Sequence, residues 1–378
     1  MLKILSIFGT RPEAIKMAPL VKELEKSEYI DSKVCVTAQH RQMLDQVLKT
    51  FKIVPDYDLN IMKDRQTLTG VTNKVLSGIE EIFEQDKFDM VLVHGDTTTT
   101  FASSLAAFYS QIKVGHVEAG LRTYNKYSPY PEEMNRQMTG ILADLHFSPT
   151  GVARDNLVQE NKPESAIYIT GNTVIDALTT TVDEGYHHEV LEKISKDKRI
   201  VLVTAHRREN LGEPLENICK AILRLVEEFP DIEVIYPVHL NPRVREVTDK
   251  YLSTQERIHL IEPLDVLDFH NFMNRAYLIL TDSGGLQEEA PSLGKPVLVL
   301  RDTTERPEGV SAGTLKLVGT DEELIYSEAK ELLTNEESYL KMAQTANPYG
   351  DGKASKRIVE AILHYFGKGE KPEEFRLN

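Results

Sequence analysis

Cysteine is scarce in this sequence, which contains only Cys35 and Cys219 and no Cys-x-x-Cys pair. Their wide separation argues against a disulfide framework and a cysteine-based metal site. We therefore expect two free, buried thiols in a reducing compartment. Apolar runs of about 18 residues are also missing, so no membrane span is predicted. The first segment of the chain lacks a secretory pattern, and we expect a cytoplasmic protein.

Basic residues are fewer than acidic ones: 44 lysines and arginines stand against 59 aspartates and glutamates, which gives a net charge of −15. This balance argues against a general nucleic-acid binder. It still permits an anionic small substrate, which needs only a local basic pocket. The sequence also lacks a P-loop, the glycine-rich fingerprint of NAD-binding domains and a cluster of metal ligands. We therefore predict no cofactor and no metal ion.

The 378 residues alternate short β-branched runs with amphipathic stretches, and the pattern restarts near Thr170–Thr181. Continuous apolar strands between helices predict parallel sheets covered on both faces. We predict an α/β protein with two Rossmann-like, doubly wound domains, residues 1–170 and 171–352, that face each other across a cleft. Because ligands of open parallel sheets lie at the carboxyl ends of the strands, the residues after each strand are the most informative.

The segment after the first predicted strand reads GTRPEAIK and begins a helix. Thr10 and Glu13 have the spacing of a capping box, and Pro12 suits the first helical turn. Arg11 and Lys16 are not explained by capping, because cations at a helix N-terminus oppose the helix dipole. A phosphate or carboxylate ligand would explain both cations, so we predict that they bind an anion.

Acidic residues follow two further strands of the first half. Asp96 lies in HGDTTTT, where it or Thr97 caps a helix, and Glu118 lies in HVEAGLRT. Glu118 stands where an apolar residue is expected, so it is either paired with an arginine, with Arg122 as the candidate, or used in catalysis. The loop PYPEEMNR adds Glu132. Carboxylates held together in a partly dry cleft push their pKa values apart, so that one can act as an acid and another as a base.

The second half has the features of an anion-binding site. VTAHRRENLGEP places His206 and Arg207 after a strand. In LTDSGGLQEEAPSLGKP, the turn Ser283–Gly285 begins a helix with bare backbone N–H groups, which suits a pyrophosphate; the alternative is a plain tight turn. Glu289, one helical turn further on, is placed to accept hydrogen bonds from ribose hydroxyls, and Arg306 adds a cation. Together the two halves describe a nucleotide-sugar enzyme.

Six ordered motifs closely resemble those of the non-hydrolysing UDP-N-acetylglucosamine 2-epimerases: FGTRPEAIKMAPL, HGDTTTT, HVEAGLRT, PEEMNR, TAHRREN and LTDSGGLQEEAPSLGKPVLVLRDTTERPEG. The resemblance runs from the first strand to beyond Glu308 and so covers most of the chain. It implies the GT-B architecture of two Rossmann-like domains. It also implies a C-terminal helix, at about residues 353–378, that packs back on the first domain.

The resemblance implies that the protein interconverts UDP-GlcNAc and UDP-ManNAc, which supplies ManNAc-derived cell-surface polysaccharides. C2 of the sugar has no neighbouring carbonyl to acidify its hydrogen, so the C1–O bond to UDP must loosen first. Anti elimination gives UDP and 2-acetamidoglucal, and UDP adds again after C2 is protonated on the other face. The scheme needs an acid or base on each face of the ring and a carboxylate that stabilises positive charge.

By resemblance, three acids fill these roles, with no assignment of faces: Asp96, Glu118 and Glu132. His206 would hold the departing diphosphate. The residues that match the family's substrate contacts are Arg11, Lys16, Phe269, Ser283, Gly284, Gly285, Glu289 and Arg306. Bacterial members can also bind a second UDP-GlcNAc as an activator, and the residues that match this allosteric site are Gln39, Gln42, Arg65, Arg207 and His239. The family is commonly dimeric, so a homodimer is expected.

Three other functions compete with this interpretation. A GT-B glycosyltransferase would share the Ser-Gly-Gly turn and Glu289, but it does not need three carboxylates opposite the diphosphate. A catalytically silent nucleotide-sugar sensor would have no use for these acids. A hydrolysing epimerase would release free ManNAc and UDP, and the absence of a kinase-like second domain from the sequence weighs against it.

Overall fold

The computed structural model of the protein describes residues 1–38, 41–63 and 66–377. Contacts within the chain divide it into two compact units. The first comprises Met1–Thr180 and Tyr349–Arg376, and the second comprises Thr181–Pro348. Each unit contains one parallel sheet with interleaved helices. This confirms the predicted α/β class with two Rossmann-like sheets.

Seven strands form the sheet of the first unit: β1 (Leu2–Phe8), β2 (Ile30–Val36), β3 (Tyr57–Asp58), β4 (Met90–His94), β5 (Lys113–Val117), β6 (Leu145–Ser148) and β7 (Ile167–Ile169). They lie in the order β3-β2-β1-β4-β5-β6-β7, and neighbouring strands are parallel. The order changes direction between β1 and β4. In a doubly wound sheet, the carboxyl ends of such strands are the usual position of a ligand site.

The helices described before residue 182 are α1 (Arg11–Glu25), α2 (Arg41–Thr50), α3 (Leu68–Gln85), α4 (Thr98–Tyr109), α5 (Glu132–Leu142), α6 (Gly151–Gln159) and α7 (Thr173–Thr181), and they accompany this sheet. A short 3-10 helix, Glu164–Ala166, precedes β7. Strands β1 and β4 are almost entirely buried because helices cover both faces of the sheet. On one face, Val71, Val75 and Ile79 of α3 pack on Leu5 and Ile7 of β1.

Six strands form the sheet of the second unit: β8 (Arg199–Thr204), β9 (Ile232–Pro237), β10 (Ile258–Ile261), β11 (Leu278–Thr281), β12 (Val297–Val299) and β13 (Leu315–Leu317). Their order is β10-β9-β8-β11-β12-β13, again parallel, with the change of direction between β8 and β11. The helices are α8 (Glu189–Lys193), α9 (Glu213–Glu228), α10 (Pro242–Leu252), α11 (Val266–Arg275), α12 (Leu286–Glu289), α13 (Pro307–Ala312), α14 (Glu322–Thr334) and α15 (Glu336–Ala343).

The helix expected after β11 is shorter than the sequence pattern indicated. The α-helical part, α12, ends at Glu289 and continues as the 3-10 helix Ala290–Leu293. Pro291 has no N–H to donate to an i−4 carbonyl, and Gly294 ends the segment in a left-handed conformation with φ of 65°. The positive end of α12 is therefore weaker than the end of a full-length helix.

After the second unit, the chain adds α16 (Ala354–Tyr365), which belongs to the first unit and packs against α1. The buried carboxylate of Asp176 in α7 accepts hydrogen bonds from the backbone N–H groups of Ala354 at 3.1 Å and Ser355 at 2.7 Å. This carboxylate caps the start of α16 and so keeps α7 with the first unit. The units consequently divide at Thr180, within the segment Thr170–Thr181 where the sequence pattern restarts.

Both cysteines are free and buried, as the sequence predicted. Burial raises the pKa of the Cys219 thiol to about 12 and raises that of Cys35 as well, so neither is a reactive thiolate at neutral pH. None of the helices in the described ranges combines the length and the apolarity needed to cross a membrane.

Candidate active site

The turn between β1 and α1 is built around the buried carboxylate of Glu13. It accepts hydrogen bonds from the backbone N–H groups of Gly9 at 3.1 Å and Thr10 at 2.8 Å, and from the Thr97 hydroxyl at 2.7 Å. Burial raises the pKa of Glu13, and these hydrogen bonds oppose the rise. The predicted capping pair is thus present, and Glu13 also ties the start of α1 to the start of α4.

Glu118 lies directly after β5 and forms a desolvated ion pair with Lys16 of α1. Their side chains are only 10% and 15% exposed. Asn172 donates a second hydrogen bond from Nδ2 to Glu118 Oε2 at 2.9 Å. Pairing of Glu118 with Arg122, one of the two alternatives drawn from the sequence, is wrong. The buried Arg122 guanidinium instead binds both carboxylate oxygens of Glu160, which ends α6, at 2.7 and 2.9 Å.

Asp96 follows β4 and is held by the helix α5. Arg136 of α5 forms an ion pair with the Asp96 carboxylate, and Asn135 Nδ2 donates to the Asp96 carbonyl at 2.9 Å. Arg136 also reaches Glu133 at 3.3 Å. Arg136 and Asn135 therefore fix the position of Asp96 relative to the start of α5, the helix that begins with Glu132.

The two adjacent acids at the start of α5 differ in their surroundings. Glu133 is buried and accepts hydrogen bonds from Gln137 Nε2 at 2.8 Å and from the backbone N–H groups of Thr123 and Tyr124 at 3.0 and 3.1 Å. Burial raises the pKa of Glu133, but these hydrogen bonds outweigh burial and hold it below its ordinary value. Glu132 is half-buried and has no hydrogen bond or ion pair with another described residue. Glu133 shapes the loop, whereas Glu132 is available to a ligand.

The sheet order brings the predicted residues of the first half to one edge. Strand β4 pairs with β1 on one side and with β5 on the other, so the residues after these strands follow neighbouring carboxyl ends. The predicted residues at this edge are Arg11, Lys16, Asp96, Glu118 and Glu132. Arg11 is half-buried and has no ion pair within the described ranges. Three carboxylates and two cations thus belong to the same part of the first unit.

Two buried histidines in this region were left without a role by the sequence analysis. His94 ends β4, and its Nε2 lies 3.7 Å from Glu118 Oε2. His116 of β5 contacts the Gly95 carbonyl through Nε2 at 2.7 Å. Burial lowers the pKa of His94 to about 4 and that of His116 to about 3, so both rings are neutral at pH 7. The sequence did contain a signal for both residues. Each histidine lies in an apolar run, and His94 precedes Gly-Asp whereas His116 precedes Val-Glu.

In the second unit, the fully buried Asp282 organises the loop after β8. Its Oδ2 accepts hydrogen bonds from the backbone N–H groups of His206 at 2.7 Å and Arg207 at 2.8 Å, and from Asn210 Nδ2 at 3.1 Å. Its Oδ1 lies 3.3 Å from His206 Nδ1. Strands β8 and β11 are neighbours, so Asp282 reaches this loop directly from the end of β11. The sequence analysis gave Asp282 no role in positioning His206.

His206 presents a partly exposed ring that is oriented by its neighbours. The ring packs edge-to-face on His239, with 4.8 Å between the ring centroids. Burial lowers the pKa of His206, His239 and Arg207 lower it further, and Asp282 opposes them. An anion close to this ring would favour its protonated form. His206 is therefore placed to gain a proton when an anion binds.

A cluster of three arginines and two glutamates surrounds the turn after β11. We call it the Glu305 cluster, and its members are Arg207, Glu288, Arg301, Glu305 and Arg306. Arg306 donates from Nε to the buried Glu288 at 2.7 Å and contacts Glu305 at 3.0 Å. Glu305 also contacts Arg301 at 2.8 Å and Arg207 at 3.4 Å. Burial raises the pKa of Glu305, but Arg306 and Arg301 hold it below its ordinary value.

The glycine turn lies directly against this cluster. A Cβ atom on Gly284 would stand 3.0 Å from Glu305 Oε1 and 3.1 Å from Arg306 Nη1. A Cβ atom on Gly285 would stand 3.3 Å from Glu289 Oε1, and Glu289 Oε2 in turn lies 3.4 Å from His270 Nε2. The backbone of this turn is therefore approached closely by charged side chains on both sides.

Residues 22–363 match the family model for UDP-N-acetylglucosamine 2-epimerase. The chain belongs to this family. It is 67% identical over 375 residues to the UDP-N-acetylglucosamine 2-epimerase of Bacillus subtilis, which covers 99% of this chain and 98% of the relative. A crystal structure of a Listeria monocytogenes protein described as a putative UDP-N-acetylglucosamine 2-epimerase superimposes with a TM-score of 0.95, at 59% identity and 99% coverage of both chains.

A member of the family has been solved with a nucleotide sugar. The UDP-GlcNAc 2-epimerase of Neisseria meningitidis, bound to UDP-GlcNAc, superimposes with a TM-score of 0.86 at 53% identity. The match covers 96% of this chain and 100% of that one. The resemblance drawn from the six motifs is confirmed by these comparisons.

The remaining residues that the family resemblance singled out are Phe269, Gln39, Gln42 and Arg65. Phe269 is half-buried on α11. Gln39 and Arg65 lie outside the described residues, as does the side chain of Gln42. In the described ranges, no group of three or more histidine, cysteine, aspartate or glutamate side chains is arranged to hold a metal ion.

Proposed function

We propose that this protein is a non-hydrolysing UDP-N-acetylglucosamine 2-epimerase that interconverts UDP-GlcNAc and UDP-ManNAc. The observation that carries the proposal is the set of three carboxylates at the edge of the first sheet: Asp96, Glu118 and Glu132. Membership in the epimerase family and the nucleotide-sugar complex of the Neisseria relative support it. Neither a glycosyltransferase nor a silent sensor would need these three acids.

In the reaction, a carboxylate removes the C2 proton, and the electron pair of the C2–H bond forms the C1–C2 double bond. The C1–O bond breaks at the same stage, and UDP leaves with its electron pair. Protonation of C2 from the other face and re-addition of UDP to C1 complete the epimerisation. Each face of the ring thus needs one group that exchanges a proton, and the positive charge that develops at C1 needs a carboxylate.

We assign the proton transfers and the stabilisation of positive charge to the first unit. Asp96 and Glu118 each have one cationic partner, Arg136 and Lys16, which hold their carboxylates in fixed positions. Preorganised groups of this kind need little rearrangement when the substrate's charge distribution changes. Glu132, which has no partner among the described residues, is the most adaptable of the three acids. Arg11 supplies a cation at the same edge for the substrate.

We assign UDP binding to the second unit. Ser283–Gly285 would present backbone N–H groups to the diphosphate, Arg306 would supply a cation, and His206 would take a proton as the departing diphosphate gains charge. Glu289 would accept hydrogen bonds from the ribose hydroxyls, and Phe269 would contact the base. These assignments follow the match to the family's motifs, and the contacts of Asp282 and Glu305 supply the local support.

Further properties are proposed from the family resemblance alone. The protein would work as a homodimer in the cytoplasm and supply ManNAc-derived cell-surface polysaccharides. A second UDP-GlcNAc would act as an allosteric activator at the site that includes Arg207 and His239. These two side chains lie beside His206, which supports communication between an activator and the diphosphate site. We also keep, as a proposal, the domain limits predicted from the sequence, which are residues 1–170 and 171–352.

The function is tested by incubating the protein with UDP-GlcNAc in deuterated water and following the C2 proton by NMR. We expect UDP-ManNAc to form and deuterium to enter C2 of both sugars, because reprotonation uses a group that exchanges with solvent. The Glu118→Gln variant, incubated in parallel, should not exchange the C2 proton for deuterium. Retention of the C2 proton would contradict the proposal and favour a transferase or a sensor, and release of free ManNAc would favour a hydrolysing enzyme.

The acid trio is tested by Asp96→Asn, Glu118→Gln and Glu132→Gln. We expect each change to lower kcat by roughly a hundredfold or more, because a group that exchanges a proton or stabilises charge is lost. UDP affinity, measured by calorimetry, should remain within a few-fold of the parent, because UDP is assigned to the other unit. Glu164→Gln is the matched control, since Glu164 is 67% exposed at the surface of the first unit. Near-normal turnover in all three variants would refute the site.

Glu305 is expected to compete with the ligand's phosphates for the arginines of its cluster. Glu305→Gln should therefore raise the affinity for UDP by roughly fivefold, the factor that one partly exposed ion pair supplies. Calorimetric titration with UDP measures the change. Glu262→Gln is the control, because Glu262 is 72% exposed and pairs with Arg245, which is not a member of the cluster. An unchanged or lower affinity in Glu305→Gln, with a native thermal transition, would show that Glu305 does not compete with the ligand.

Activation is tested with highly purified UDP-ManNAc as the sole substrate. We expect a lag, because turnover must first generate UDP-GlcNAc for the allosteric site. A trace of added UDP-GlcNAc should abolish the lag in an otherwise identical assay. A prompt initial velocity without that trace would contradict activation and leave the epimerase activity itself intact.

A further inference from the structure

His94 stands at the end of β4 and has no part in the scheme described so far. Its side chain is 4% exposed, and Nε2 has no hydrogen-bond partner among the described residues. A buried polar atom without a partner carries a desolvation cost, so its retention needs a reason. The Glu118 carboxylate lies close to Nε2, at 3.7 Å from Nε2 to Oε2.

The protonation state of the His94 ring follows from its other contact. The backbone carbonyl of His94 itself favours a hydrogen on the ring, and Nδ1 is the only ring nitrogen that can approach that carbonyl. A neutral ring with its hydrogen on Nδ1 presents a lone pair at Nε2. The Thr100 hydroxyl donates to the same carbonyl at 2.5 Å, which fixes the backbone at this point.

The ring is neutral in this environment. The charged and titratable groups that face it are Lys16 from α1, Asp96 from the loop after β4, and Glu118 and His116 from β5 and its end. Burial lowers the pKa of His94 to about 4, Lys16 lowers it further, and Glu118 and Asp96 oppose this. Near pH 7, therefore, the lone pair of Nε2 faces the carboxylate of Glu118.

We propose that His94 is a positioning residue that accepts a hydrogen bond from Glu118 whenever Glu118 carries a proton. In the ionised state, a lone pair facing Oε2 is mildly repulsive, and the 3.7 Å separation is too long for a hydrogen bond. Once Glu118 is protonated, a small shift of the carboxyl group makes an O–H···N bond to Nε2. The proton stays on Glu118, and no other bond is made or broken.

The proposed contact balances the other partners of Glu118. Lys16 and Asn172 both favour the ionised carboxylate, because they donate to Oε2. Donors of this kind make Glu118 hold a proton poorly. An acceptor at Nε2 favours the protonated form, so that Glu118 can alternate between the two states during turnover. This inference rests on the proposed function, in which Glu118 exchanges a proton or stabilises charge.

The test is His94→Phe, which keeps a buried ring and removes the acceptor. We expect kcat to fall roughly tenfold, the factor of one hydrogen bond, with KM changed less than twofold. The limb of the kcat–pH profile that reports Glu118 should move to lower pH by about one unit, because the protonated form loses its acceptor. The expected shift of the kcat–pH profile is to lower pH whether Glu118 is ionised or protonated at the start of turnover. An unmoved profile in the folded variant would overturn the proposal.

A matched control separates this effect from a packing defect. His146→Phe changes another buried histidine, on strand β6 of the same sheet, whose pKa is also lowered to about 4 by burial. We expect His146→Phe to lose stability without a shift of the pH profile. An equal shift in both variants would overturn the proposal. His94→Leu replaces His94→Phe if the latter does not fold, with the same expected shift.

A second measurement does not depend on the activity of any variant. In protein labelled with 15N-histidine, His94→Leu identifies the His94 resonances, and their shifts report which ring nitrogen carries the hydrogen. We expect Nδ1 to be protonated and Nε2 to be an acceptor, and the opposite tautomer would overturn the proposal. Failure of the parent protein to exchange deuterium at C2 would instead refute the proposed function. Exchange by the parent together with an unshifted His94→Phe profile would refute only the inference about His94.

Discussion

The desolvated ion pair between Lys16 and Glu118 is the constraint on which the first site depends. Two charges are kept almost without water, which costs several kcal/mol per ion, so each requires the other. Removal of one partner from such a pair typically costs about 3–5 kcal/mol. The pair connects the helix after β1 to the end of β5, past the intervening strand β4. The position of Glu118 is thus set by the order of the strands and not by its local sequence.

The second unit also buries a carboxylate but satisfies it with uncharged donors. Asp282 is fully buried and stays satisfied because two backbone N–H groups and Asn210 donate to it. That arrangement gives a rigid loop whose exposed member is His206. Around the neighbouring turn, the three arginines of the Glu305 cluster contact Glu288 and Glu305, and Glu209 lies 3.7 Å from two of them. A diphosphate at this turn would therefore have to compete with these carboxylates for the arginines.

The sequence predicted the alternation of strands and helices, the capping role of Glu13 and the placement of acids after strands, because these depend on local periodicity and on spacing within one motif. It did not predict the partner of Glu118, because Lys16 lies far away in the chain and meets Glu118 only through the strand order. The length of α12 was overestimated, since apolar periodicity continued past the proline that ends the α-helical bonds. The roles of His94 and Asp282 depend on burial and on hydrogen-bond partners, which no single motif reveals.

The charged groups at the two sites differ in whether they are paired, and this affects what a ligand must do. A bare carboxylate or guanidinium would lose its hydration shell when a ligand binds, and that loss would oppose binding. Asp96 and Glu118 of the first unit have already exchanged water for Arg136 and Lys16, which fix their positions, whereas Arg11 and Glu132 have no ion pair with another described residue. Arg306 of the second unit has exchanged water for Glu288 and Glu305. An anion that binds Arg306 must therefore compete with these two carboxylates, so the pairs that permit burial also select for a ligand of matching charge and geometry.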